Sequence, residues 1–215
     1  MKQIAVLGLG RFGRSLARTL AELGHDVLGV DSDAAIVEEM STCLTNCVQA
    51  DIKDEAALTA LGLRNFDVVV VSIGGNVQAS IIATMLLKEM GVHTVVCKVT
   101  NALNAKILSR LGADRIIFPE RDMGIRLARS IANADVLDFI ELSQTYSMVE
   151  MNTPSVWAGK SIVQTNARAK YGVNIVAIHR GNEIIVTLDP NEVLQASDIL
   201  VVIGANTDLD KLNNL

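Results

Sequence analysis

Six residues near the N-terminus, Gly8-Leu9-Gly10-Arg11-Phe12-Gly13, have the types and spacing to cradle a pyrophosphate. In a GxGxxG run the first glycine permits a tight turn, the second admits ligand phosphate to the backbone, and the third lets a helix pack on a strand. The amides of a helix N-terminus then face the anion with a partial positive charge. Taken alone such a run is a weak signal. Its context strengthens it, because an apolar run, Ile4–Leu7, precedes it, a helical pattern follows, and Asp31 closes the next apolar run about 20 residues on.

Asp31 suits ribose hydroxyls and argues against a 2′-phosphorylated cofactor, but serves NAD and the adenine mononucleotides ATP and ADP equally. Ser32 follows it at the same edge. Asp51 ends the third apolar run, where it either accepts from an adenine amino group or caps the helix beginning near Asp54-Glu55. Ser72-Ile73-Gly74-Gly75-Asn76 follows the fourth run, either as ligand-approaching backbone or as a plain turn. Arg11 occupies a slot usually filled by small or apolar residues. It either contacts phosphate, its own or that of a neighbouring subunit, or is solvated. Lys98, after the fifth run, reads as the only lysine at this edge and offers a counter-charge for phosphate.

Chemistry beyond binding is not supported. His25, His93 and His179 fall in a turn, a loop and the second half of the chain, and Tyr146 and Tyr171 both lie outside the first half. No Ser–Tyr–Lys set, nucleophile elbow, HExxH or P-loop lysine is present. Cys43, Cys47 and Cys97 form no CxxC pair, so buried thiols in a reducing compartment are expected rather than a metal site.

The elements needed to position these residues are legible as alternation. Ile4–Leu7, Val27–Val30, Cys47–Ala50, Val68–Ile73, Thr94–Cys97 and Arg115–Phe118 read as strands, with helices between them and a further helix from Pro119 to about Ala132. Six strands joined by helices imply a doubly wound parallel sheet of Rossmann type. After Asn133 the pattern changes. Val136–Leu142 is compatible with helix or strand, and Tyr146–Met151, Asn174–Arg180, Glu183–Thr187 and Ile199–Ile203 read as short strands, with a short helix at 166–171. A small α+β domain over 135–215 is therefore expected behind a nucleotide-binding domain over 1–134.

Half of the 215 residues are hydrophobic, only 3% are aromatic, and the net charge is −5. Aliphatic strands covered by helices fit that composition. No broad basic face or aromatic platform is available, which excludes nucleic acid as the expected partner. No apolar run approaches the roughly 20 residues of a membrane span, and no secretory leader is recognisable.

GLGRFG at 8–13, Asp31, Gly112-Ala113-Asp114-Arg115-Ile116-Ile117 and Pro119-Glu120-Arg121-Asp122-Met123-Gly124 together resemble the RCK-domain regulatory subunits of bacterial Ktr and Trk potassium uptake systems. Gly159-Lys160-Ser161-Ile162, 166–172, Ile175–Arg180 and Asp198-Ile199-Leu200-Val201 resemble the companion TrkA-C domain. The resemblance covers nearly the whole chain. It implies a cytoplasmic, non-enzymatic protein, peripheral at the inner face of the membrane. Such a protein binds ATP or ADP, assembles as an octameric ring, and gates a separate membrane-embedded, KtrB-like potassium-conducting subunit. It also implies contacts from Asp31 to ribose, from Arg11 to the γ-phosphate across a subunit interface, and from Glu120 to Mg²⁺ or Ca²⁺. For Glu120, first-turn stabilisation by the helix dipole is the competing reading. In the second domain the resemblance implies a cyclic di-AMP site at Ile162, Arg168, Asn174 and Ile175, with a solvated Arg168 as the alternative. The candidate nucleotide contacts are then Gly8, Gly10, Arg11, Phe12, Gly13, Asp31, Ser32, Asp51, Ile73, Gly74, Lys98 and Glu120. An NAD(H)-binding sensor or small NAD-dependent oxidoreductase remains the alternative.

Overall fold

The computed structural model describes residues 1–132, 136–143 and 145–212, which form two compact units, Met1–Arg121 and Asp122–Leu215. The expected domain limit at 134/135 lies outside the described residues.

The first unit alternates β1 (Gln3–Leu7), α1 (Arg11–Glu22), β2 (Asp26–Asp31), α2 (Ala34–Ser41), β3 (Asn46–Gln49) and α3 (Glu55–Ala60). After a single 3-10 turn it continues with β4 (Val68–Val71), α4 (Val77–Glu89), β5 (Val95–Lys98), α5 (Ala102–Arg110) and β6 (Arg115–Ile117). Helix α6 (Pro119–Ala132) follows. The strands form one parallel sheet in the order β3-β2-β1-β4-β5-β6, the doubly wound order expected from the alternation. Because β1 is central, its side chains are divided between two cores. Ala5 and Leu7 join Val30, Val69, Val71 and Leu87 on one face, while Val6 joins Leu9, Val27, Met40 and Leu44 on the other. Two buried faces explain why these strands read as continuous apolar runs. Gly24, Gly91 and Gly112, at φ +81°, +80° and +94°, end α1, α4 and α5 in the left-handed conformation that glycine adopts without strain.

The second unit contains β7 (Val136–Glu141), β8 (Tyr146–Asn152), α7 (Ile162–Thr165), α8 (Ala167–Tyr171), β9 (Val173–Arg180), β10 (Glu183–Ile185), β11 (Ile199–Ala205) and α9 (Asn206–Leu212). Its antiparallel sheet runs β10-β9-β11-β8-β7. One face of β8 and β11 is buried at every second residue, and Met151, Leu200 and Val202 pack there with Trp157 and Ile178. The segment at 136–142, open between helix and strand in the sequence, is the edge strand β7. The helix expected at 166–171 is preceded by a separate turn, α7. Asn166 divides the two at φ +51°, a conformation that its short polar side chain tolerates. Helix α9 was not expected from the sequence; Leu209 and Leu212 anchor it to the core. Among the described residues, no helix is long and apolar enough to cross a membrane.

Candidate functional site

A cleft of about 340 Å³ opens at the C-terminal ends of β1 to β4, lined by Gly8, Gly10, Asp31, Ser32, Asp51, Lys53, Ile73, Gly74 and Asn76 among others. Gly8 sits at φ +95°, and its N–H donates to the Val30 carbonyl at 2.7 Å. A side chain at Gly13 would run into the Gly8 carbonyl and lie 2.6 Å from Ser72 Oγ, so helix α1 approaches the sheet only because this residue is glycine. Gly10 is different, since nothing lies within 4 Å of the space a side chain would take. It is the N-cap of α1, no side chain caps that end, and the first turn carries no acid. Open space before an uncapped helix N-terminus is what an anion requires.

The Asp31 carboxylate accepts from the Leu9 N–H at 2.6 Å and the Asp33 N–H at 3.0 Å. Asp33 caps α2 through the Ala35 N–H. Asp54 caps α3, which removes the helix-capping reading of Asp51. Asp51 instead accepts from the Lys53 N–H at 3.0 Å and pairs with Lys53 Nζ at 3.3 Å. The backbone bond from Lys53, with the ammonium's help, holds its carboxyl below the usual range. Lys53 corrects the expectation that Lys98 alone brings a lysine to this edge, because the short excursion after β3 returns it to the cleft. Its signal was its position two residues past Asp51. Asn76 Oδ1 accepts from the Ala79 N–H at 3.0 Å, so the 72–76 segment is both a cap for α4 and part of the cleft wall.

Lys98 does not line the cleft. Its side chain is only 9% exposed and places Nζ 2.5 Å from Glu120 Oε1 and 5.5 Å from the centre of the Phe12 ring. A side chain at Gly74 would lie 3.5 Å from that ammonium, so Lys98 stands just behind the cleft wall. Lys98 pulls the Glu120 carboxyl below its ordinary range, with a smaller attraction from Arg11. Glu120 therefore has a partner in its own chain that the sequence did not reveal. Among the described residues no group of three or more His, Cys, Asp or Glu side chains gathers to hold a metal. One carboxylate already paired with an ammonium is too few oxygen ligands by itself, so the residues of a single chain do not fit Mg²⁺ or Ca²⁺ here. Arg11 is exposed and lies with Arg14 and Arg18 on α1, beside Glu39 of α2, and not in the cleft lining.

Cys97 is buried beside Thr84 Oγ1 at 3.2 Å, as expected, whereas Cys43 and Cys47 are only half-buried. Their positions at the end of α2 and on the edge strand β3 leave one side uncovered. Burial pushes the Cys97 and Cys47 thiols up, which disfavours the thiolate a metal or electrophile would need.

In the second unit, Ile162 and Ile175 are half-buried against the core, while Arg168 and Asn174 are exposed on α8 and β9.

Residues 4–119 match the family model of the TrkA-N domain, and residues 147–215 that of the TrkA-C domain. The chain is 48% identical to Ktr system potassium uptake protein C of Bacillus subtilis over 98% of this chain and 95% of that protein. It is 41% identical to Ktr system potassium uptake protein A of the same organism over 99% and 96%. Among solved structures, the GsuK channel bound to NAD aligns with a TM-score of 0.69 at 16% identity, covering 100% of this chain and 39% of that one. GsuK bound to ADP aligns at 0.54 and 14%, covering 62% and 36%. At such identities the structural likeness establishes the fold. The two matched relatives are potassium uptake proteins, not enzymes, and the match to them spans both domains. The chain belongs to the TrkA-N/TrkA-C (RCK) family, alongside the Ktr potassium uptake proteins A and C.

Proposed function

We propose that this chain is a cytoplasmic regulatory subunit of a potassium uptake system, which senses ATP against ADP in the β1–β4 cleft. The observation that carries the reading is the cleft itself: a glycine turn open at Gly10, an uncapped helix N-terminus, and the Asp31 carboxylate at the same sheet edge. Binding without hydrolysis is the expected chemistry. The Ktr relatives support a role in potassium uptake. With no helix of the described residues able to cross a membrane, conduction falls to a separate membrane-embedded subunit. In this reading copies of the chain form an octameric ring on that subunit. Arg11, exposed and outside its own cleft lining, reaches the γ-phosphate of a neighbour's nucleotide. A cation at Glu120 would then need further oxygen ligands from the nucleotide or a second chain. The 1–134 domain carries the nucleotide, and the 135–215 domain takes cyclic di-AMP through Ile162, Arg168, Asn174 and Ile175, the exposed Arg168 serving its phosphates.

NAD(H) is the second reading, favoured by the GsuK structure with NAD and by the equal fit of Asp31 to either ribose. Thermal melts with competing nucleotides separate the two. A ligand at 100 times its dissociation constant stabilises the native state by about 2.7 kcal/mol. ATP and ADP should each raise the midpoint and displace NADH. A midpoint raised by NADH alone would overturn the adenine-mononucleotide reading.

A further inference from the structure

We propose that Asp31 is a positioning residue for the phosphate turn, through the Leu9 amide, in addition to any contact it makes with ribose. The inference rests on the nucleotide reading above. Asp31 Oδ2 accepts from the Leu9 N–H at 2.6 Å, and Oδ1 accepts from the Asp33 N–H at 3.0 Å. Leu9 is the middle residue of Gly8-Leu9-Gly10, and its side chain is fully buried with Val6, Ala17 and Met40. The peptide before it is held as well, because the Gly8 N–H donates to the Val30 carbonyl at 2.7 Å. Two consecutive amides of the turn are thus tied to the end of β2. From the other side, Ser72 Oγ donates to the Gly8 carbonyl and the Ser72 N–H to the Leu7 carbonyl at 2.8 Å.

Of these braces, only the one from Asp31 carries a charge, and charge-assisted bonds are roughly twice as strong as neutral ones. Each carboxylate oxygen has capacity for a second donor after meeting one amide. Asp31 can therefore hold the turn and still accept from ribose hydroxyls. The ribose end and the phosphate end of the cleft are coupled through one side chain. Its loss removes an acceptor for the sugar and also frees the peptide that leads into Gly10 and the uncapped amides at the start of α1.

The test uses a ligand that lacks what Asp31 is conventionally expected to bind. Calorimetry on the full chain compares ATP with 2′,3′-dideoxy-ATP for the wild type, Asp31→Ala and Asp31→Asn. Asp31→Ala should weaken dideoxy-ATP by about tenfold, and ATP by more. Asp31→Asn, whose amide oxygen can still accept from Leu9, should recover part of the dideoxy-ATP affinity. Equal dideoxy-ATP affinity in wild type and Asp31→Ala overturns the proposal while leaving nucleotide binding intact. A second measurement needs no nucleotide: hydrogen exchange at the Leu9 amide of the ligand-free protein should accelerate in Asp31→Ala. Unchanged exchange there also overturns the brace, even if the wild type proves to bind neither nucleotide and the functional reading fails by itself. Asp31→Ser, which removes the same reach, serves if Asp31→Ala does not fold.

Discussion

Gly10 and Gly13 lie three residues apart in one turn, yet a methyl group added at each meets opposite surroundings. At Gly13 it would press on the Gly8 carbonyl and Ser72 Oγ; at Gly10 it would enter open space. Gly13→Ala should therefore destabilise the chain by about 1–3 kcal/mol, the range of an overpacked core. Gly10→Ala should leave stability within about 0.5 kcal/mol and, if the proposed phosphate site is at this turn, still lower ATP affinity, because the methyl would enter the open space there. Urea melts of both variants with and without ATP separate the two effects, and a stable Gly13→Ala would contradict the packing argument. A further motif residue proves structural at this scale. Asp114, part of the family pattern, accepts from the Val95 N–H at 2.7 Å and Lys88 Nζ at 3.0 Å, tying α4 and β5 to the start of β6.

Among elements, one polar side chain ties the end of β9 to the connection between β10 and β11, whose Leu188 and Leu194 also join the core. Arg180 donates to Asp198 through Nε at 2.9 Å and Nη2 at 2.8 Å, to Glu192 through Nη1 at 2.7 Å, and to the Val193 carbonyl at 3.0 Å. The Asp198 side chain has no exposure, and the Gln195 N–H gives it one further bond at 2.8 Å. Arg180→Met would strand that carboxylate. A loss of about 3 kcal/mol is expected, the low end for a broken buried pair because the Gln195 bond survives. The pair also gives the second unit an acid dependence. Arg180 holds the Asp198 carboxyl below the ordinary carboxylate range. Its contribution is therefore complete above the unfolded value of about 3.9 and disappears as pH falls through the lower folded value, where the unfolded chain binds the proton first. Urea midpoints at several pH values should fall below about pH 4 in the wild type, and less steeply in Arg180→Met. Equal slopes would mean that Asp198 is not the group responsible.

At the scale of the whole molecule, the two units have separate cores and sheets of different kinds, one parallel and one antiparallel. All the residues that line the cleft belong to Met1–Arg121. A chain ending at Ala132 should accordingly fold and keep its thermal stabilisation by ATP, while losing any stabilisation by cyclic di-AMP. Loss of the ATP effect in a truncated chain with native circular dichroism would show that the second unit completes the site.

The glycine turn after β1, the acid at the end of β2 and the six-strand alternation were legible because each is local. A glycine spacing, a strand end or a stretch of β-branched residues carries its meaning within a few positions. Helix caps were legible for the same reason in part, though Asp54, not Asp51, proved to cap α3. What needed the tertiary structure were the relations between strand ends that the sequence separates widely. Parallel pairing brings Gly8, Asp31, Lys53 and Gly74 to one edge, and it sets Lys98 against Glu120, 22 residues further on. The same holds for the edge strand β7 and for α9, whose short patterns suit more than one conformation until the rest of their sheet or core is present. The Leu9–Asp31 bond belongs to this second class. Nothing in the spacing of the two residues distinguishes a carboxylate waiting for a sugar from one already holding the turn.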